Sequence, residues 1–169
     1  MLLWLANIIS AISPQTRFFG LRRLLFVAAG AKISTSAKVC GTARIHYSNL
    51  IIGEGTWLGA GCHVIPTRDA VVMIGENCDI GPQVMFVTGS HEFGTSNRRA
   101  GNGTSSPIYI GKGSWIGARA TFIAGAEVGE GCMVAAGSLV TKSFPDNCLI
   151  AGAPAKILRT FSNNDEELF

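Results

Sequence analysis

The segment Ile110–Phe122 has the sequence IGKGSWIGARATF, in which a large apolar residue returns at positions 110, 116 and 122. A glycine follows each isoleucine, and a small residue, Ser114 or Ala120, comes four positions after it. Self-similarity at a fixed period indicates a repeat architecture, and a six-residue period is typical of parallel β-helices. The segment therefore predicts a prism in which three hexapeptides, about 18 residues, complete one triangular coil.

The same period extends in both directions along the chain and predicts three columns of inward-facing side chains, one for each wall of the prism. All the positions in these columns are apolar. The columns are Ile33, Ile52, Ile74, Ile110 and Val128; Val39, Leu58, Ile80, Ile116 and Val134; and Ile45, Val64, Phe86, Phe122 and Val140. The second inward position of the hexapeptide is small because three walls converge there. Cys62, Cys78 and Cys132 occupy such positions, so we interpret them as structural residues and not as nucleophiles.

The composition agrees with tightly turned β structure. The chain of 169 residues has 21 glycines, 15% charged residues and a mean hydropathy of +0.32. High hydrophobicity with little charge excludes a disordered chain, and the glycine content disfavours a helical bundle. The five cysteines form no C-x-x-C pair, so neither a zinc site nor a disulfide framework is indicated. Unpaired cysteines suit a reducing cytoplasm.

Residues 1–31 stand apart from the repeat and are predicted to form short helices that cover an end of the domain or touch a membrane. The apolar run at residues 1–12 is shorter than the ~20 residues that a membrane span needs, and it lacks the features of a secretory signal. Residues 1–53 contain six Lys or Arg residues and no acid. Such a segment either favours an anionic membrane surface or substrate or is simply a solvated helix face.

The six-residue period breaks at three places. The step is seven residues from Ile45 to Ile52, ten from Val64 to Ile74, and twenty-four from Phe86 to Ile110. The last break predicts a long projecting loop at residues 92–109, and long loops in compact domains are usually functional. The predicted organisation is therefore a helical segment at 1–31, a β-helix at 32–145, and a C-terminal cap with an acidic tail at 146–169.

Three histidines lie near these breaks. His91 is the last residue of its hexapeptide, at the base of the long loop, so we expect it at a prism corner, facing outward. His63 has the same hexapeptide position in the preceding coil, beside the smaller insertion, and His46 has no adjoining loop. The sequence thus makes His91 the first candidate for catalysis, His63 the second, and His46 a structural or merely exposed residue.

The chain resembles the hexapeptide-repeat acyltransferases, most closely the maltose and galactoside O-acetyltransferases and those of bacterial polysaccharide clusters. The resemblance covers residues 33–159. Its most specific stretches are Thr88–His91, Ser114–Ala118, Ala135–Lys142 and Ala151–Lys156. It implies an all-β fold, a left-handed parallel β-helix of about five triangular coils with a short N-terminal helical segment and a projecting loop. It also implies a homotrimer that binds CoA between neighbouring prisms.

The resemblance assigns roles to individual residues. His91 matches the general base, which would accept the proton of a sugar hydroxyl as that hydroxyl attacks the thioester carbonyl of acetyl-CoA. Glu92 and Asp69 are candidates for orienting His91. His63 matches a position often held by Asn near the acceptor, and that departure leaves the acceptor open. The residues that match the cofactor site are Trp115, Gly117, Ala118, Ala135, Ala136, Thr141, Lys142 and Lys156.

The function that follows is acetyl-CoA-dependent O-acetylation of a saccharide hydroxyl, in surface polysaccharide biosynthesis, in the cytoplasm or at the inner face of the membrane, without a metal. Three alternatives remain at this stage: N-acetylation of an amino sugar or other small acceptor, a zinc enzyme of the γ carbonic anhydrase type, and a non-catalytic trimeric module. The zinc enzyme needs a close pair of histidines, whereas these three are 17 and 28 residues apart. Nucleic acid is not an expected partner.

Overall fold

The structure, a computed structural model, describes residues 1–162. Two helices, α1 (Leu2–Ile12) and α2 (Phe19–Ala28), precede the strands. The first three coils contain β1 (Lys32–Ile33), β2 (Lys38–Val39), β3 (Arg44–Ile45), β4 (Leu50–Ile52), β5 (Trp57–Leu58), β6 (His63–Ile65), β7 (Val72–Ile74), β8 (Asp79–Ile80) and β9 (Met85–Val87). A projecting hairpin of β10 (Gly89–Thr95) and β11 (Arg98–Ser105) follows. The later strands are β12 (Ile108–Ile110), β13 (Trp115–Ile116), β14 (Thr121–Ile123), β15 (Glu127–Val128), β16 (Met133–Val134), β17 (Leu139–Val140), β18 (Ser143–Phe144), β19 (Cys148–Gly152) and β20 (Ala155–Thr160).

The strands form the three walls of a parallel β-helix. The first wall has the order β1-β4-β7-β12-β15-β18, the second β2-β5-β8-β13-β16-β19-β20, and the third β17-β14-β9-β6-β3. Within the coils every pairing is parallel and joins one hexapeptide to its counterpart one coil away, as Ile110 joins Ile74 and Val128. All the predicted inward residues are buried, so the three predicted columns are confirmed.

The axis of the prism is filled by small side chains, as expected. Cys62, Cys78 and Cys132 are buried, and their thiols donate to backbone carbonyls, for example Cys62 Sγ to Gly81 O at 3.2 Å. Thr56 and Ser114 each bond backbone groups of the neighbouring coil through the hydroxyl. The cysteines are therefore core residues, since every polar atom at this narrow axis finds a partner between coils.

Two predicted boundaries need correction. The β-helix does not end at residue 145, because β18 and β19 continue the first and second walls in parallel register. The C-terminal turn then brings β20 back against β19 in antiparallel pairing and closes the second wall. The acidic residues 165–167 lie outside the described part of the chain. The projecting segment is also more regular than a loop at 92–109, because an antiparallel hairpin spans residues 89–105.

The helices lie over the first coil, where the open end of a β-helix leaves backbone groups unpaired. Helix α1 packs on β3, and α2 packs on β1 and β2. Asn7 takes the place of a missing strand beside β3: its Nδ2 donates to Ile45 O at 2.7 Å, and its Oδ1 accepts from Ile45 N at 2.9 Å. Helix α1 ends at Ile12, because Pro14 favours an extended Ser13.

Two arginines of α2 bond unpaired backbone carbonyls of the other two walls in the first coil. The Arg22 guanidinium donates to Val39 O, Pro14 O and Gln15 O at 2.8–3.2 Å, and Arg23 Nε donates to Ser34 O at 2.8 Å. Arg22 is fully buried, so the solvated-face interpretation fails for this residue. Burial is tolerated because the guanidinium is surrounded by carbonyl acceptors. Among residues 1–162 no helix is long and apolar enough to cross a membrane.

Candidate functional site

His91 lies in β10, at the third residue of the projecting hairpin, opposite Gly103 of β11. The residue is exposed, as predicted, although it stands on the hairpin and not at the prism corner itself. A Cβ added at Gly103 would meet no atom within 4 Å, so the space beside the imidazole is open. An accessible imidazole next to open space can accept a proton from a bound hydroxyl.

The structure does not assign an orienting partner to His91. The carboxylate of Glu92 accepts a hydrogen bond from Asn102 Nδ2 at 3.1 Å, across the hairpin. Asp69 is exposed in the neighbouring insertion, which Asn49 holds by donating to Thr67 O and Arg68 O. Within residues 1–162 the His91 ring makes no hydrogen bond.

The two insertions are joined by Thr88, a contact that the sequence reasoning did not identify. Thr88 is buried, and its hydroxyl accepts from Thr67 N at 2.7 Å. Its carbonyl also accepts from Ser106 N at 3.0 Å, which closes the base of the hairpin. The signal was present in the sequence, since both insertions follow the third hexapeptide of consecutive coils and must therefore emerge at the same corner.

His63 is half-buried on the outer face of the third wall, paired in register with Arg44 on one side and Met85 on the other. Its ring centroid is 6.1 Å from that of His46. Burial, followed by the charges of Arg44 and His46, lowers the pKa of His63 below its ordinary value. The imidazole is therefore neutral at neutral pH, and it can both donate to and accept from a polar ligand.

Trp115, Gly117, Ala118, Ala135 and Ala136 lie together on the second wall and at the corner between the second and third walls. A Cβ on Gly117 would collide with the backbone N of Ala136, so glycine is required for this close stacking. The N–H groups of Ala118 and Ala136 donate to no other described residue. Small side chains therefore line this corner, and two of its backbone N–H groups have no partner among the described residues.

Thr141 and Lys142 lie at a different corner, between the third and first walls, two coils beyond the base of the hairpin. Both are exposed, and Lys142 Nζ stands 5.5 Å from the centroid of the Phe144 ring. Lys156 is exposed on β20, opposite Ala151. The two lysines can offer positive charge to an anion, but Lys142 and Lys156 stand on separate parts of the surface.

A single chain does not bring all these residues together. His91 leaves the prism between the third wall and the first, whereas Trp115 lies on the second wall and Ala118 at the corner after it. The third wall separates the two groups. Within one chain the two groups therefore lie on opposite sides of this wall.

The structure also shows a groove that the sequence reasoning missed. Trp57, Asp79 and Trp115 stack in register on the outer face of the second wall and line a cavity of about 480 Å³ together with Gln15 and Pro82. The three residues share one hexapeptide position, so comparing the outward positions of successive coils would have found them. Within residues 1–162 no group of three His, Cys, Asp or Glu side chains could hold a metal ion.

Comparison with known proteins agrees with this architecture. Residues 107–142 match the family described as bacterial transferase hexapeptide (six repeats). The galactoside O-acetyltransferase of Escherichia coli K12 is 31% identical over 122 residues, which is 72% of this chain and 59% of that protein. A solved galactoside acetyltransferase in complex with coenzyme A is 26% identical with a TM-score of 0.86, covering 99% of this chain and 82% of the other.

The chain contains the hexapeptide-repeat domain, and its homologues are O-acetyltransferases of the hexapeptide-repeat family. Its parallel β-helix is the left-handed fold of that family, which a maltose O-acetyltransferase from Clostridium difficile 630 also shares, at 22% identity with a TM-score of 0.79, over 95% of this chain and 85% of that one. The galactoside O-acetyltransferase of Lactococcus lactis is 30% identical over 66% of this chain. The chain spans between 54% and 59% of the length of these two galactoside O-acetyltransferases.

Proposed function

We propose that the protein transfers the acetyl group of acetyl-CoA to a hydroxyl group of a saccharide. The observation that carries the proposal is the exposed His91 imidazole at the base of the hairpin, beside open space. The neutral imidazole accepts the hydroxyl proton while the hydroxyl oxygen forms a bond to the thioester carbonyl carbon. The carbon–sulfur bond then breaks, and the CoA thiolate takes the proton back from His91. No acyl-enzyme is needed, which agrees with the burial of all five cysteines.

The cofactor site proposed for acetyl-CoA follows the second corner of the prism. The free N–H groups of Ala118 and Ala136 suit the carbonyl oxygens of the pantetheine arm, and Gly117 and Ala135 keep the surface open for close approach. Trp115, which is 55% exposed, supplies an apolar wall. Thr141 and Lys142 stand at the corner on the other side of the third wall, so a neighbouring copy would bring them to this site. With Lys156 they would provide hydrogen bonds and charge for the phosphates of CoA.

We infer that the active unit is a homotrimer, because the proton-accepting residue and the cofactor corner stand on opposite sides of the third wall. A neighbouring copy that faces this wall would supply the missing half of each site. Closed cyclic assembly gives every chain the same two roles. Asp69 and Glu92, on the His91 side of the third wall, and His63, on the outer face of that wall, are proposed to contact the acceptor.

The cellular role proposed is modification of a surface polysaccharide precursor, with a free or lipid-linked saccharide as acceptor. We place the protein in the cytoplasm, at the inner face of the membrane when the acceptor is lipid-linked. Five unpaired cysteines suit a reducing compartment, and the apolar N-terminal helices suit a membrane-proximal position.

The test is release of free thiol from acetyl-CoA in the presence of a panel of sugars, amino sugars and nucleotide-linked sugars. His91→Ala should lower turnover by roughly 10²–10⁴-fold, with unchanged CoA binding in calorimetry. His46→Ala is the matched control, because His46 is an exposed histidine at the same corner without a hairpin, and it should keep near-normal turnover. Near-normal turnover of His91→Ala would refute the base assignment, and release with amino sugars alone would replace O-transfer by N-transfer.

A further inference from the structure

The two N-terminal helices turn several polar side chains toward the prism and many large apolar side chains toward solvent. The polar residues Asn7 and Ser10 of α1 point toward the first coil and bond its backbone, and so do Arg22 and Arg23 of α2. The exposed positions of the same helices carry large apolar side chains. The large ones with more than a third of their surface exposed are Leu2, Trp4, Leu5, Ile8, Ile12, Leu21, Leu24 and Val27.

The cause of this inversion is the open end of the β-helix. A helix on an ordinary core turns its apolar side inward, but here the inner side must satisfy unpaired strand groups such as Ile45 N and Val39 O. The polar side chains are used for that purpose. Phe26 is buried, and Leu3 and Leu25 pack against the core. Most of the other large apolar side chains of the two helices are left on the outer surface, where monomeric soluble proteins seldom place a contiguous patch.

All the charged side chains of the two helices and of the first coil, within residues 1–53, are basic. Arg17, Lys32, Lys38 and Arg44 are exposed next to the helices, and the first acidic residue of the chain is Glu54. An apolar helix surface bordered by cations, with Trp at its edge, is the pattern of helices that lie in the interface of an anionic bilayer. Neither helix is long enough to span, so this pattern specifies a helix that lies on the membrane.

We propose that α1 and α2 form a docking cap that binds anionic lipid bilayers through the outer faces of both helices. The cap covers the end of the prism, so the coils stack away from the lipid. The base of the hairpin, in the third coil, then stands about two strand spacings, roughly 10 Å, beyond the first coil. This docking surface deepens the membrane-proximal location proposed above, on which it rests. It favours an acceptor whose saccharide is held near the lipid headgroups.

The experiment is flotation of the full chain with vesicles of phosphatidylcholine alone and with roughly 30% phosphatidylglycerol added. The wild type should float with the anionic vesicles and much less with the neutral ones. Trp4→Gln/Ile8→Gln/Leu24→Gln should lower the partition coefficient roughly a hundredfold. Lys32→Gln should lower it about fivefold on anionic vesicles only.

The matched control is Phe93→Gln/Ile157→Gln/Leu158→Gln, which changes three exposed apolar residues away from the cap and should float like the wild type. Wild-type protein that stays unbound to anionic vesicles, or a cap variant that floats normally, would overturn the proposal. So would a cap variant that splits the wild-type assembly into smaller units, because the surface would then belong to a second copy. Thiol release with a water-soluble sugar, measured without vesicles, tests acetyl transfer separately and should be unchanged in the cap variant.

Discussion

The His63 imidazole makes the third wall sensitive to acid. Its pKa is lowered by burial and by the charges of Arg44 and His46, relative to the ordinary value of 6.5. At a pH between the lowered pKa of folded His63 and the ordinary 6.5 of the unfolded chain, the unfolded chain binds more protons than the folded one. The free energy of unfolding therefore falls as the pH drops below 6.5. The loss ends once the pH is below the folded pKa.

His63→Gln should therefore lose less stability than the wild type between pH 7.5 and pH 5.5. Melting temperatures at both pH values, in the same salt, measure the difference. Arg44→Gln removes one of the charges that lower the pKa of His63 and should give an intermediate result. Equal losses in all three proteins would contradict this account of His63.

The cysteines give a second prediction at the scale of residues. All five are buried, and burial raises the pKa of Cys62 to about 12. Because the thiolate is the reactive form, native protein should not react with a disulfide reagent over minutes at pH 8. Unfolded protein should titrate five thiols. A fast-reacting thiol in the native state would contradict the burial of these cysteines, and at Cys62, Cys78 or Cys132 it would contradict the packing of the prism axis. It would also have to be subtracted in the CoA release assay.

At the scale of elements, the buried guanidinium of Arg22 is one of the groups that hold helix α2 to the prism. Arg22→Lys keeps the charge but cannot reach the carbonyls of Val39, Pro14 and Gln15 together. We expect it to lower the free energy of unfolding by about 2 kcal/mol, measured by urea denaturation. Arg17→Lys is the control, because Arg17 is exposed. Equal stability of the two variants would show that the cap does not depend on these bonds.

The hairpin can be tested as a unit, because its outer residues lie outside the core. Replacing residues 93–100 by a two-residue turn keeps the pairing of His91 with Gly103. The melting temperature should stay within a few degrees of the wild type. The KM for the saccharide should rise by at least about tenfold, while CoA affinity is unchanged. An unchanged KM for the saccharide in the truncated protein would show that residues 93–100 of the hairpin do not contribute to acceptor binding.

At the scale of the whole molecule, the third wall separates His91 from Trp115. If each site takes His91 from one chain and Trp115 from its neighbour, His91→Ala and Trp115→Ala should be inactive alone and complement each other. In randomly mixed trimers about a quarter of the sites have both wild-type residues. Co-expression with two affinity tags, followed by the thiol-release assay, measures this fraction.

Two results would contradict the shared site. Mixed trimers without recovered activity would place both residues in one chain's site. A fully active protein with the mass of a monomer in light scattering would contradict the proposal that the active unit is a trimer. Mixing His91→Ala with itself through the two tags is the control, and it should stay inactive.

The sequence by itself determined the β-helix. The inward columns are local in origin: a six-residue period assigns each side chain to a wall before any contact is known, and neighbouring coils repeat the same rule. That is why the columns from Ile33 to Val140 and the axial cysteines were predicted at the level of single residues. The hairpin boundary and the coil after residue 145 were missed, because both depend on strand pairing between segments without the period.

Only the tertiary structure decided how the ends and corners are used. Arg22 is buried because its guanidinium bonds unpaired carbonyls at the open end of the prism, such as Val39 O. The sequence of α2 alone does not show that these carbonyls lie beside it. The pKa of His63 is lowered by burial between coils and, to a smaller extent, by Arg44 and His46 from the preceding coil. The separation of His91 from Trp115 is likewise a property of the closed triangle. These features depend on groups that folding brings together from different coils. The six-residue period along the sequence does not predict the distances between such groups.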